Sequence, residues 1–204
     1  MQKTIDYFFS PISPWTYLGH ERFQGLRQKH AAGVSIRPCD LSGKIFPISG
    51  GLPVKQRAPQ RQAYRIVELH RWRDYLGIPL TIEPKHFPVD PDPAARVIIA
   101  ASRISESAGM AVTFAILRAC WAEERNVADP DTLQTILKEQ RLGADALLEQ
   151  AVSAEINSVY NAYTQEAIGK GVFGAPTYIF KDELFWGQDR LDFLERALAR
   201  AVTA

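Results

Sequence analysis

Two short stretches of this 204-residue chain combine residue types and spacing that could do chemistry. The first is centred on Ser13, which follows an Ile-, Tyr- and Phe-rich run from Lys3 to Phe9 and precedes Pro14 and Trp15. That places Ser13 at the N-cap of a helix, with proline at the first helical position. One reading ends there, with a cap. The other uses the same geometry: a helix N-terminus presents unpaired N–H groups and a positive partial charge, which favour an anion. A hydroxyl beside that end can donate a hydrogen bond to a thiolate. A free thiol of pKa about 8.5 must drop by about two units to be mostly thiolate at neutral pH, which is about 2.7 kcal/mol. A hydrogen bond to a charged group supplies about 1.5–3 kcal/mol, and a helix end about 0.3–1, at best about 2. Together they suffice. Since no cysteine stands beside Ser13, the thiol would have to arrive on a ligand.

The second stretch is GVFGAPT, Gly171 to Thr177. Proline at the start of a strand is tolerated, because a first residue can lose its N–H. The sharper reading is a cis Ala175–Pro176 bond, which leaves the backbone of Ala175 free to pair with an extended peptide.

The elements that must position these stretches follow from pattern. Lys3 to Phe9 suits a buried strand, SPISP breaks it, and a helix runs from Trp15 to about Ala31. Val34 to Leu41 alternates as a second strand, so the opening is β-α-β, a unit that normally makes a parallel pair. A proline- and glycine-rich loop spans Ser42 to Pro59, longer than most connections. Helical patterns then cover Gln60–Leu76, Asp92 to about Ala108, Met110 to about Arg125, Thr132–Gln140, Ala144–Gln150 and Ser153–Ile168. Asp129-Pro130 is a start signal within them. Thr177–Phe180 and Leu184–Trp186 read as a hairpin about Lys181-Asp182-Glu183, and Gln188–Ala201 as a closing helix with Leu191, Leu194 and Leu198 on one face. The order is that of an α/β, thioredoxin-like fold interrupted by an all-helical insertion domain. Its expected division is 1–58 with 170–204 for the thioredoxin-like domain and 59–169 for the insertion.

Composition excludes several classes. Lys plus Arg is 24 against 23 for Asp plus Glu, a net charge of +1 that argues against a general nucleic-acid binder. No stretch approaches the roughly 20 apolar residues of a membrane span, and the N-terminus lacks an export signal's apolar region, so a cytoplasmic location is expected. Cys39 and Cys120 form no CxxC and read as buried small hydrophobes. The histidines at 20, 30, 70 and 86 lack ligand spacing, so no metal site is predicted.

SPWTYLG (Ser13 to Gly19), GVFGAPT and FWGQDRLDFL (Phe185 to Leu194), with LPVKQRAPQRQAYRIVELHRWRDYLGIPL and PKHFPVDP between them, resemble the 2-hydroxychromene-2-carboxylate isomerases and the related kappa-class glutathione transferases. The resemblance covers nearly the whole chain. It implies glutathione as cofactor, a homodimer, and cis/trans isomerisation of a small aromatic substrate through a transient glutathione thiolate adduct in aromatic catabolism. Alternatives are a kappa-class-like transferase, which consumes glutathione, and a non-catalytic glutathione-binding module. It also implies roles. Ser13 would hydrogen-bond the glutathione sulfur, and Ala175, before Pro176, would bond the cysteinyl backbone. Gln188 and Asp189 would hold the γ-glutamyl end, while Arg61, with Lys55 as the competing candidate, would reach the glycyl carboxylate. Trp15, Phe173 and the segment Lys85, His86 and Phe87 would line the substrate pocket, with Lys85 toward a substrate carboxylate. The arginines at 57, 61, 65, 71 and 73 are interrupted by Glu68 and Asp74, and read as a solvated helix face plus one glutathione contact.

Overall fold

The computed structural model describes residues 3–201. Strands β1 (Thr4–Phe9), β2 (Gly33–Pro38), β3 (Thr177–Phe180) and β4 (Glu183–Trp186) form one mixed sheet in the order β2-β1-β3-β4. β1 runs parallel to β2, reached through helix α1 (Pro14–Lys29), and antiparallel to β3, which turns back on β4. Between β2 and β3 lie α2 (Phe46–Ser49), α3 (Pro59–Leu76), α4 (Asp92–Ile104), α5 (Glu106–Trp121), α6 (Pro130–Glu139), α7 (Ala144–Ala151) and α8 (Ala154–Gly169). Helix α9 (Leu191–Arg200) closes the chain. The architecture is a thioredoxin-like α/β core carrying an extensive helical insertion.

β1 is an unbroken apolar run at its end because both faces of the sheet are covered. Tyr7 stacks on Tyr178 at 5.3 Å and meets Phe23 of α1 at 4.8 Å, whereas Phe8 packs among Cys39, Leu41, Ile45 and Ile179 on the opposite side. The first face continues into the inserted helices without a break: Ile98, Ile116 and Trp121 share one buried cluster with Tyr7 and Leu18. Polar ties pin the sheet edge. Glu106 accepts from the Val34 N–H at 2.6 Å and pairs with Arg27 at 2.5 Å, joining β2, α1 and α5.

Two boundaries differ from the expectations. β2 ends at Pro38 rather than Leu41, because Leu41–Ile45 coils into a wide helical turn whose first residues are held by Asp40, accepting from the Gly43 N–H at 2.7 Å. The loop expected from Ser42 to Pro59 therefore contains this turn, α2 and a tight turn at Val54–Gln56. The helix expected from Asp92 to Ala108 breaks at Ser105, which is extended (φ −166°, ψ 159°) and caps α5 by accepting from the Ala108 N–H at 3.0 Å. Capping chemistry here overrides continuous apolar periodicity.

The break lets α5 fold back on α4, and Gly109 is where they touch. A Cβ at Gly109 would lie 2.9 Å from the Ser102 Cα and 2.7 Å from the Ile36 Cδ1. Gly109→Ala is expected to cost about 1–3 kcal/mol despite the better helix propensity of alanine, read as a lower urea midpoint.

His20 carries a second prediction. It is 2% exposed, faces the Tyr7 hydroxyl at 3.3 Å and stacks on Phe114, and burial lowers its pKa to about 4. In the unfolded chain it titrates near 6.5. Between those values the unfolded state binds more protons, so stability rises with pH across this window and is lost on acidification. About 3 kcal/mol is expected to disappear between about pH 6.5 and 4. Urea midpoints measured across that range should lose this slope in His20→Gln.

Among the described residues no helix is long and apolar enough to cross a membrane.

Candidate active site

A cavity of about 720 Å³ opens between the N-terminus of α1, the segment joining β2 to α3, α3 itself and the turn before β3. Ser13 stands at its edge, half-buried, with the backbone of an N-cap (φ −80°, ψ 122°). Its Oγ accepts from the Thr16 N–H at 3.2 Å, and its N–H donates to the Ser10 carbonyl at 3.0 Å. A hydroxyl has one donor hydrogen and two lone pairs, so capping occupies a lone pair and leaves the hydrogen to donate. The cap and the thiolate donor are compatible roles for one side chain. The first turn of α1 contains no acidic residue to oppose an anion at that end.

Across the cavity lies Ala175, whose bond to Pro176 is cis. Among the described residues, no backbone hydrogen bond uses the Ala175 N–H or carbonyl. The turn is set by Thr177, whose hydroxyl donates to the Gly174 carbonyl at 2.8 Å, and by the Gly187 N–H donating to the Pro176 carbonyl at 2.8 Å. A Cβ at Gly174 would strike the Trp186 indole, so any larger residue there must displace that ring.

The electrostatics of the cavity are one-sided. Lys55, Arg57, Arg61 and Arg65 line it, and none of them makes an ion pair among the described residues. Arg57 is fastened to the Leu52 carbonyl at 2.8 Å. Burial and then neighbouring Arg61 hold the guanidinium pKa of Arg57 below its usual range. Aromatic and apolar walls complete the space: Ile12, Trp15, Phe46, Phe87, Phe173 and Trp186. Phe173 and Trp186 meet at 4.7 Å at the exposed rim. The site thus pairs a hydroxyl donor and a helix end with an excess of cationic groups, an arrangement that holds an anionic ligand of peptide character beside an aromatic one.

The structure gathers Ser13, Trp15, Lys55, Arg61, Phe173 and Ala175 around this cavity, with Pro176 buried behind Ala175. It does not bring Lys85 or His86 there. Lys85 is exposed, with its N–H donating to Glu124 at 3.2 Å, and the segment presents Phe87 and Pro88 to the cavity instead. Gln188 and Asp189 also lie outside the lining. Gln188 is 2% exposed, packed on Gly19 and accepting from Arg22 at 2.9 Å, while the exposed Asp189 carboxylate pairs with Arg190 at 2.9 Å.

Sequence reasoning placed Phe87 at the pocket but passed over Arg57, Trp186 and, above all, Arg65. The arginine run is a solvated face only in part: Arg71 and Arg73 pair with Glu68 and Asp74, whereas Arg65 is buried. The signal was available in spacing. Arg65, Leu69, Trp72 and Leu76 fall at i, i+4, i+7 and i+11, the inward stripe of α3. Cys39 and Cys120 are buried and free, and burial pushes both thiols up to about 12, so neither is ionised at neutral pH.

Comparisons with known proteins place the fold and the family. The family model for the DSBA-like thioredoxin domain matches residues 4–199. The chain is 31% identical over 198 residues to the 2-hydroxychromene-2-carboxylate isomerase of Sphingobium xenophagum, covering 97% of this chain and 99% of that one. It is 26% identical over 209 residues to glutathione S-transferase kappa 2 of Caenorhabditis elegans, covering 95% and 92%. A solved structure of 2-hydroxychromene-2-carboxylate isomerase superposes with a TM-score of 0.81 at 26% identity, covering 98% of this chain and 96% of that one. With the match running from the first strand to the last helix, the chain belongs to the DSBA-like thioredoxin-domain family, in its 2-hydroxychromene-2-carboxylate isomerase group.

Proposed function

We propose that the protein is a glutathione-dependent isomerase acting on an aromatic, unsaturated keto acid of the 2-hydroxychromene-2-carboxylate type. The observation that carries this reading is Ser13, a half-buried helix cap with its hydroxyl hydrogen unspent, at the edge of a cavity whose lining cations form no ion pair among the described residues. The residues fit glutathione. Arg61 or Lys55 would take the glycyl carboxylate, and the unpaired Ala175 backbone would bond the cysteinyl unit. Asp189 would reach the glutamyl ammonium from outside the cavity lining, with Gln188 buttressing its turn. When bound, glutathione supplies a thiolate nucleophile whose reversible conjugate addition makes a stiff double bond rotatable. The protein's own part is to keep that sulfur ionised. The Ser13 hydroxyl donates to it, and the N-terminus of α1 adds its positive partial charge. Trp15, Phe87 and Phe173 supply flat apolar surface for the substrate ring and exclude water from it.

The test is turnover with the thiol counted. Wild-type protein receives a cis enone acid and substoichiometric glutathione. Many turnovers per glutathione with constant free thiol is the expected result. Thiol falling in step with turnover would replace the isomerase by a kappa-like transferase. Absence of glutathione binding in a calorimetric titration would remove the reading altogether.

A further inference from the structure

Arg65 is out of place by every rule of helix packing except a functional one. It occupies the inward stripe of α3, where Leu69 is the other buried residue, and is itself 8% exposed. A buried guanidinium is normally paired, because an unpaired ion loses its hydration without recompense. Here it has neither an ion pair nor a hydrogen bond among the described residues, and its Nη2 is buried with no partner. What holds it is aromatic: its guanidinium carbon lies 5.3 Å from the Phe87 ring centre and 5.7 Å from that of Trp121, within cation–π range. Burial, then the charge of Arg57, bring its pKa down to about 10 against the smaller opposing pull of Glu83, so it remains a cation at neutral pH.

Its place in the cavity narrows what it could bind. Lys55 and Arg61 are exposed at the mouth, where a peptide carboxylate in contact with water would be met. Arg65 is buried against two touching rings. One of those rings, Trp121, donates its indole N–H to the Ile12 carbonyl at 3.2 Å, in the same loop as Ser13. A carboxylate reaching Arg65 must therefore come attached to something flat and apolar, and must lie close to the loop that positions the thiol. We infer that Arg65, braced by Phe87 and Trp121, is the carboxylate anchor for an aromatic acid substrate, while glutathione is held by other groups. This rests on the proposed glutathione-dependent reading for the identity of the second ligand, and takes the role that the sequence suggested for Lys85.

The experiment titrates the folded, full-length protein with hydrocinnamate, with its neutral counterpart hydrocinnamamide, and separately with glutathione. Wild type should prefer the carboxylate to the amide by about 10-fold or more, the strength of a charge-assisted hydrogen bond. In Arg65→Met, which keeps the length and removes the charge, that preference should vanish while the glutathione Kd moves by less than about 2-fold. Arg65→Lys should retain part of the preference, because it keeps the charge and loses the fork. Should Arg65→Met fail to fold, the wild-type preference and Arg65→Lys decide the matter alone. An equal affinity for acid and amide in wild type would overturn the proposal, as would an Arg65→Met or Arg65→Lys protein that weakens glutathione as much as hydrocinnamate. Carboxylate binding without glutathione binding would sink the glutathione-dependent reading and leave the anchor standing.

Discussion

Ser13→Ala is expected to slow turnover by about 10- to 100-fold and to raise the pKa of bound glutathione by about one to two units. The magnitude follows from what the hydroxyl does besides capping. Losing the cap, a 3.2 Å bond from the Thr16 N–H, costs about 1 kcal/mol of stability, which a 16-residue helix packed against the sheet, α5 and α9 can absorb. Losing a hydrogen bond to a thiolate costs about 1.5–3 kcal/mol in the ionised complex. The helix end still contributes, so ionisation is weakened rather than abolished. Ultraviolet thiolate absorbance of the glutathione complex, followed against pH, separates the two effects: the pKa moves while the urea midpoint shifts only slightly. Ser13→Thr keeps the hydroxyl and the cap and should restore most of the activity. Identical thiolate titrations in wild type and Ser13→Ala would remove Ser13 from the mechanism while leaving the fold untouched.

Trp121→Ala is expected to be the most destabilising of these substitutions, by about 3–5 kcal/mol. Trp121 is 0% exposed, ends α5, and meets Phe87 at 4.7 Å and the Arg65 guanidinium at 5.7 Å. Its indole N–H is also the tie from α5 to the Ile12 carbonyl, so truncation opens a hole behind the cavity and releases the loop before Ser13. Both consequences are measurable. The urea midpoint should fall, and glutathione affinity measured well below the unfolding transition should fall with it. Trp121→Phe keeps much of the ring volume and loses the indole N–H, so it should cost about 1–2 kcal/mol and reveal how much of the affinity loss comes from the loop. A cost below about 1 kcal/mol for Trp121→Ala would mean that the wall relaxes around the hole, against the close packing described.

The parts of this protein that the sequence alone determined are those set by local chemistry. The β-α-β opening, the Ser13-Pro14 helix start, the Asp129 cap of α6 and the hairpin ending at Trp186 depend on neighbouring residues whose preferences agree. The motifs at Ser13 and Ala175 were legible for the same reason. Each is a turn with its own chemistry, and the fold brings both to one cavity. Ser105 was harder, because apolar spacing continues through it and only the packing of α5 back on α4 makes its cap decisive.

The spacing along α3 marks Arg65 as inward, but tertiary structure alone decided what encloses it. Arginines 61, 65, 71 and 73 have similar sequence surroundings, yet Arg71 reaches Glu68 on the exposed side of α3 while Arg65 is buried against two rings. Phe87 and Trp121, the rings in question, lie 22 and 56 residues further along the chain. No local pattern could report their arrival. The same holds for Lys85 and Phe87, two positions apart, of which only the second lines the cavity. Residue type decides what a side chain can bind, but burial decides what it must bind, and burial is a property of segments that meet only in the folded chain.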